Sequence, residues 1–393
     1  MRLVLLISLT IACIALSSSA QANQHQLNFF GTLGYSKTDS AFANYRLAQG
    51  YEFYADKAGS SILDSRIGAH GKVEFFEGVH AIAQVHARRN SVDEVEWLAP
   101  WAYLHWQPDL QYELMFGRFR HSLFMITDEM DVGYSWPWVR PPVELYSLAG
   151  ESTYVDGVKF RYRNTLGAFT AAVETHFGQL QLDRKPRLFV DNEKNYGIAL
   201  SLSDGTLTYR VSWVQAHVSI EAPRLITLVN LINQQNPAIL PDYQFQHISP
   251  QRYLNVGMRY EDGQWLVLAE AARLWLNTRL LPNKWAYYLT IGRTFDTLTP
   301  YVSVANQRLT GLYPETRLSG TAALAIGQLE KNSVSDQFAT TVGVRWDFTA
   351  GMALKMQIEQ IHQPTGSLGI QARPLPAGKE HYSLSSIALD WVF

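Results

Sequence analysis

From Leu63 the chain reads LDSRIGAHGKVEF, and its residue types alternate. Leu63, Ile67, Ala69, Val73 and Phe75 fall on one parity, with Asp64, Arg66, His70, Lys72 and Glu74 on the other. Successive side chains of a strand point to opposite faces, so this period of two describes a strand with one apolar and one polar face. The pattern recurs at Val79, Ala81, Ala83, Val85 and Ala87 against His80, Gln84, His86 and Arg88, and again at Leu354, Met356 and Ile358 against Lys355, Gln357 and Glu359. About sixteen such segments fill the chain, most of about ten residues or more, the length a tilted strand needs to cross a bilayer. They span roughly 26–36, 62–76, 78–90, 94–107, 110–120, 152–164, 166–178, 194–203, 206–217, 252–262, 264–275, 284–295, 297–308, 336–348, 350–362 and 380–393. Counts of about fourteen or eighteen stay open, because LITLVNLI at Leu225–Ile232 fits either a loop helix or a further strand.

The connections decide what such strands build. Every second one is tight, with EG at Glu77, PD at Pro108, NT at Asn164 and DG at Asp204 and Asp262, whereas 37–61, 121–151, 218–251 and 309–335 are long. Short turns at one end and long loops at the other fit a membrane barrel, and a soluble sandwich has no reason to sort loops this way. Trp97, Trp101, Tyr103, Tyr209, Trp213, Trp285, Tyr287, Trp346 and Phe348 share the apolar parity, as residues of interfacial girdles would. Arg118, Arg273 and Arg293 fall on that same outward parity, which requires a bulge, a strand-end position or a different register. The expected fold is all-β: a transmembrane, antiparallel, up-and-down β-barrel of about sixteen strands.

Composition narrows the compartment and the chemistry. Arg2, the apolar run LVLLISLTIACIAL and then SSSAQA read as an export signal over residues 1–22, cleaved after Ala22 or a residue or two earlier, which leaves about 23–393 as one barrel. Cys13, the single cysteine, lies inside that signal, so disulfide frameworks and cysteine metal sites are excluded from the mature chain. Past the signal no apolar run is long enough for a membrane-spanning helix. With 33 basic against 35 acidic residues, the charge balance argues against a nucleic-acid partner. His70, His80 and His86 lie on adjacent strands but lack metal-ligand spacing, so no metal is expected. No nucleophile elbow or phosphate-cradling glycine loop marks an enzyme, and no cofactor is expected.

The closing strand, SSIALDWVF, places Ile387, Leu389, Trp391 and Phe393 on one parity and ends on an aromatic residue. Strand number, loop pattern and this terminus together resemble the Gram-negative general porin family over essentially the whole mature chain. VGYSWPWVRPP and the following ELY, Val132 to Tyr146, are also similar to a third-loop pattern of porin-like proteins from marine and related proteobacteria. The resemblance implies a sixteen-stranded barrel in the outer membrane, surrounded by outer-membrane lipid and usually a homotrimer. It implies a third loop folded inward to narrow the pore, and a terminus, here Trp391 and Phe393, that the barrel assembly machinery recognises. The trimer latch that the second loop forms in familiar enteric porins is in doubt, because the connection around Ser91 to Asp93 is short.

Loop 121–151 would carry the constriction. Pro137, Pro141 and Pro142 restrict its freedom, while Trp136 and Trp138 suit it as anchors on an inner wall. A loop folded over the barrel mouth, or one touching a neighbouring subunit, is the alternative. Asp128, Glu129 and Asp131 on the loop would face a basic wall of Arg66, His70, Lys72, His86, Arg88, Lys159 and Arg161, and set a transverse field across an aqueous passage. Arg140 would either join this eyelet or tie the loop to a wall carboxylate such as Glu96 or Glu174. Two functions stay open: a porin for passive diffusion of small hydrophilic solutes and ions, with a modest anion preference, and a channel whose constriction binds one class of solute.

Overall fold

The computed structural model describes residues 25–48, 53–89, 94–150, 154–182, 189–221, 223–243, 248–276, 278–279, 282–310, 315–371 and 374–393. The export signal expected over residues 1–22 and the short connection around Ser91 lie outside the described residues. Sixteen strands form a closed antiparallel barrel in which every strand pairs with its sequence neighbours and the first pairs with the last. They are β1 His25–Thr38, β2 Arg66–Phe76, β3 Val79–Arg89, β4 Val95–Trp106, β5 Tyr112–Arg120, β6 Tyr154–Leu166, β7 Phe169–Leu182 and β8 Phe189–Ser203. The second half supplies β9 Leu207–Glu221, β10 Ile248–Glu261, β11 Trp265–Trp275, β12 Asn283–Arg293, β13 Leu298–Thr310, β14 Gln337–Thr349, β15 Met352–His362 and β16 His381–Val392. Each alternating segment of the sequence is one of these strands. Phe30 pairs with Val392 at the seam, and Phe29 and Phe393 exchange two backbone hydrogen bonds of 2.8 Å, so the last residue helps to close the ring.

Burial runs opposite to that of a water-soluble protein. Leu33, Ile67, Val256 and Ile358 are exposed and point outward, and Trp97 is 71 % exposed. On the inner parity Thr32, Gln84, Asn255 and Thr290 are buried, and Lys355 and Asp390 are fully so. A continuous apolar outer band with a polar, charged interior is what a barrel solvated by lipid requires.

Tight turns and long loops do segregate to opposite ends. Gly78, Gly205 and Gly263 take positive φ in the turns, and Asp204 accepts hydrogen bonds from the Thr206 and Leu207 amides at 2.9 and 2.7 Å. The turn expected at Asn164 falls instead at Gly167, because β6 runs on to Leu166. Among the described residues three α-helices lie in the long loops: α1 Val143–Tyr146, α2 Pro223–Gln235 and α3 Gly320–Ser333. LITLVNLI is therefore a loop helix. It packs Leu228 and Ile232 against Ala322 and Ile326 of α3.

Two outward-parity expectations are corrected. Between Gln84 and His86 the β3–β4 register slips, at Ala99–Pro100, and the extra residue reverses the facing of β4. Trp101 and Tyr103 consequently point into the barrel, against His70 at 5.5 Å and His105 at 6.5 Å, and do not belong to a girdle. The outward arginines keep their register and are accommodated chemically. Arg118 forms two 2.7 Å hydrogen bonds with Asp156, its direct cross-strand partner, while Arg273 lies 4.9 Å from the Trp275 ring and Arg293 lies 5.0 Å from Trp265. Such pairing and cation–π contact suit cations near an interface.

Candidate functional site

Loop 3, residues 121–150, leaves the end of β5 with three prolines in YSWPWVRPP and no ladder to satisfy its backbone. Wall side chains supply the missing partners. Lys355 Nζ donates to the Gly133 carbonyl at 2.6 Å, and Arg345 Nη1 donates to the Tyr134 and Trp136 carbonyls at 2.5 and 3.1 Å. The Val139 amide donates to Gln357 Oε1 at 2.9 Å. At Gly133 a side chain would run into Asp390 and Thr32, so the loop backbone lies directly on the β1–β16 wall. Hydrogen bonds from the loop reach β9 through β16 and β1, β2 and β3.

Its side chains are bound as firmly. Trp138 is buried edge-on against Tyr288 at 5.6 Å and donates Nε1 to Thr290 Oγ1 at 3.0 Å. Trp136 is buried beneath the Arg66 guanidinium, 5.5 Å away, and Arg66 itself donates to the Met130 carbonyl at 3.2 Å. Arg140 forks onto Asp64 at 2.9 and 2.7 Å, reaches Glu359 at 2.5 Å, and donates to Ser36 and Ser386 at 2.5 and 2.8 Å. Burial opposes its charge, but Asp64 and Glu359 outweigh that and raise its pKa. In α1, Tyr146 donates to Glu270, which also accepts from Tyr288 and from the Met125 amide, each at 2.8 Å. Glu144 accepts from Gln337 Nε2 at 2.7 Å, and burial pushes its pKa up to about 7.

The three loop acids part company. Asp131 is buried, ion-paired with Arg120 and 3.6 Å from His86. Burial works against its charge, but Arg120, His86 and Arg88 outweigh it and hold the carboxyl below the usual range. Asp128 and Glu129 have side chains 43 and 45 % exposed, and stand 3.8 Å from Lys159 and 3.9 Å from Arg259. Arg161 lies between them and Glu174, at 4.0 Å from Asp128 and 3.1 Å from Glu174. Glu174 is itself 3.2 Å from Arg210. The half-exposed acids thus oppose a cationic wall on β6 and β10.

A closed ring of sixteen antiparallel strands, apolar outside and charged inside, occurs in solved structures of outer-membrane proteins. OmpF of Salmonella typhi in complex with daunomycin shares 10 % identity over 94 % of this chain and 97 % of its own, with a TM-score of 0.58. The anion-selective porin from Comamonas acidovorans shares 13 % identity over 94 and 100 %, with a TM-score of 0.53. This chain has the fold of a porin. The trimer form of OmpT, an outer membrane protein of Vibrio cholerae, shares that fold at 12 % identity, 94 and 100 % coverage and a TM-score of 0.53. No family model and no curated protein sequence matches the chain.

Within this porin fold the expected lining divides. Arg66, His70, Lys72, Arg88 and Arg161 are partly exposed on the inner wall. His86, Lys159, Asp131 and Arg140 are buried, with His86 and Lys159 against the loop acids Asp131 and Asp128. Arg140 does tie the loop down, but to Asp64 and Glu359, not to Glu96 or Glu174. Trp136, Pro137 and Trp138 are buried, and Pro141 and Pro142 half-buried. His70, His80 and His86 do not converge: they face Trp101, His105 and Asp131 respectively. Sequence reasoning missed Arg120, Arg210 and Arg259. Arg210 and Arg259 carried the same inward parity as the residues it chose, whereas Arg120 ends β5, where parity is least informative.

Proposed function

We propose that the protein is a pore of the Gram-negative outer membrane, passing small hydrophilic solutes and ions down their gradients without covalent chemistry. The observation that carries this reading is the inverted barrel, with a charged inner wall faced by the half-exposed Asp128 and Glu129 of loop 3. Opposed fixed charges across water select among ions and polar solutes. Export by a signal cleaved after Ala22, assembly through Trp391 and Phe393, and a homotrimeric state are parts of the same proposal. OmpT of similar fold is described in a trimer form, which supports the last.

Purified protein in a planar bilayer tests the reading, with ohmic steps expected. A protein that inserts but passes no current would remove it. Bands that run as trimers in detergent and collapse on boiling would fit the oligomer. A second reading, a channel that binds one class of solute, is favoured by how much of the inner wall loop 3 engages, from β9 round to β3. Conductance that saturates with one solute, rather than rising with salt, separates it from general diffusion.

A further inference from the structure

Between loop 3 and the wall of β2, β3 and β5 lies a cavity of about 140 Å³. Its charged side carries Arg66, Arg88, Arg89, Arg120 and Arg140 against two acids, Asp64 and Asp131. Both acids are already matched, Asp131 by Arg120 and Asp64 by Arg140. Arg66 and Arg88 are left without an ion pair among the described residues, and the Nε of each is buried without a hydrogen-bond partner. These two stand directly opposite one another in the β2–β3 register. Like charges facing across a ladder repel, and a buried donor with no acceptor costs free energy, so an anion between the two would be stabilised.

The same cavity also has apolar lining. Leu47, Phe53 and Leu63, from the loop after β1, form it. A bare inorganic anion would leave that lining without a partner. An apolar cavity of about 150 Å³ accommodates benzene, so the space here suits a body of that size. We propose that this cavity binds a small organic acid, its carboxylate between Arg66 and Arg88 and its aromatic or short aliphatic body against Leu47, Phe53 and Leu63. The inference rests on the pore reading for its route of entry, and it gives that pore a solute class.

Calorimetric titration of the full-length, detergent-purified protein with benzoate is the test, because it does not depend on current. Saturable binding is expected, with benzamide weaker by about tenfold or more for want of a charge, and inorganic phosphate weaker by a similar factor for want of an apolar body. Arg88→Gln removes a side chain with no ion pair among the described residues and should weaken benzoate by about tenfold or more, with Arg88→Lys intermediate. Absence of benzoate binding, equal binding of benzamide, or an unchanged affinity in R88Q would overturn the proposal. Phosphate bound as tightly as benzoate would also overturn it, as the mark of a general anion site. Bilayer conductance is read separately: current without benzoate binding sinks this inference alone, and benzoate binding without current sinks the pore reading alone.

Discussion

Arg140 is the loop 3 cation with two buried carboxylates against it, Asp64 and Glu359. Arg140→Ala would strand two carboxylates out of water, and removing one member of a buried pair costs about 3–5 kcal/mol. Single-channel records of R140A should therefore show frequent excursions to a larger conductance, with R140K between it and the parent because an ammonium lacks the bidentate fork. Records as steady as the parent's would show that the loop is held elsewhere. Glu144 adds a pH dependence of known sign. Burial pushes its pKa up to about 7, so the docked loop holds the proton more tightly than a released loop does. Its contribution is whole below about pH 4, declines as pH rises towards about 7, and is flat beyond, a change of at most about 3 kcal/mol. Loop excursions should thus be rarer at about pH 5 than at about pH 8, and Glu144→Gln should abolish the difference. At this scale the sequence showed which charges point inward, because parity is local. It could not show which of them pair, because Arg140 meets Glu359 only through closure of the whole ring.

Among the elements, the strands were legible, α2 stood open between helix and strand, and the other loop helices were not legible. A strand solvated by lipid on one side and by water on the other must alternate, so each of the sixteen announces itself. Helix α3 packs mainly against α2, a neighbour distant in sequence, and TAALAIGQLE gave no reason to look for it in a long loop. Strand β4 shows where alternation misleads: one extra residue near Pro100 sends Trp97 to the lipid and Trp101 to the lumen, although both read as outward. Brominated lipids distinguish the two. Trp97→Phe should lower the lipid-quenched share of the fluorescence, whereas Trp101→Phe should leave it and reduce the share quenched from water. Equal effects would mean that the register slip is absent.

For the molecule as a whole, the charge left over after pairing sets the sign of ion preference. Asp131, Asp64, Glu359, Glu174 and Asp390 each face a cation, while Arg66 and Arg88 have no carboxylate of their own among the described residues. Asp128 and Glu129 add negative charge, but half-exposed carboxylates near Lys159 and Arg259 are partly neutralised. Around the cavity at Arg66 and Arg88 the fixed field is on this balance positive. Its reach depends on salt, since the screening length is about 10 Å at 0.1 M and about 3 Å at 1 M. Reversal potentials should accordingly show chloride favoured over potassium at about 0.1 M, with the ratio falling towards one at about 1 M. Replacing Arg66 and Arg88 together by glutamine should flatten that salt dependence, because it removes two inner-wall cations that have no ion pair among the described residues. A clear cation preference in the parent at low salt would mean instead that Asp128 and Glu129 govern the passage, with the arginine side of the lumen outside the path of the ions.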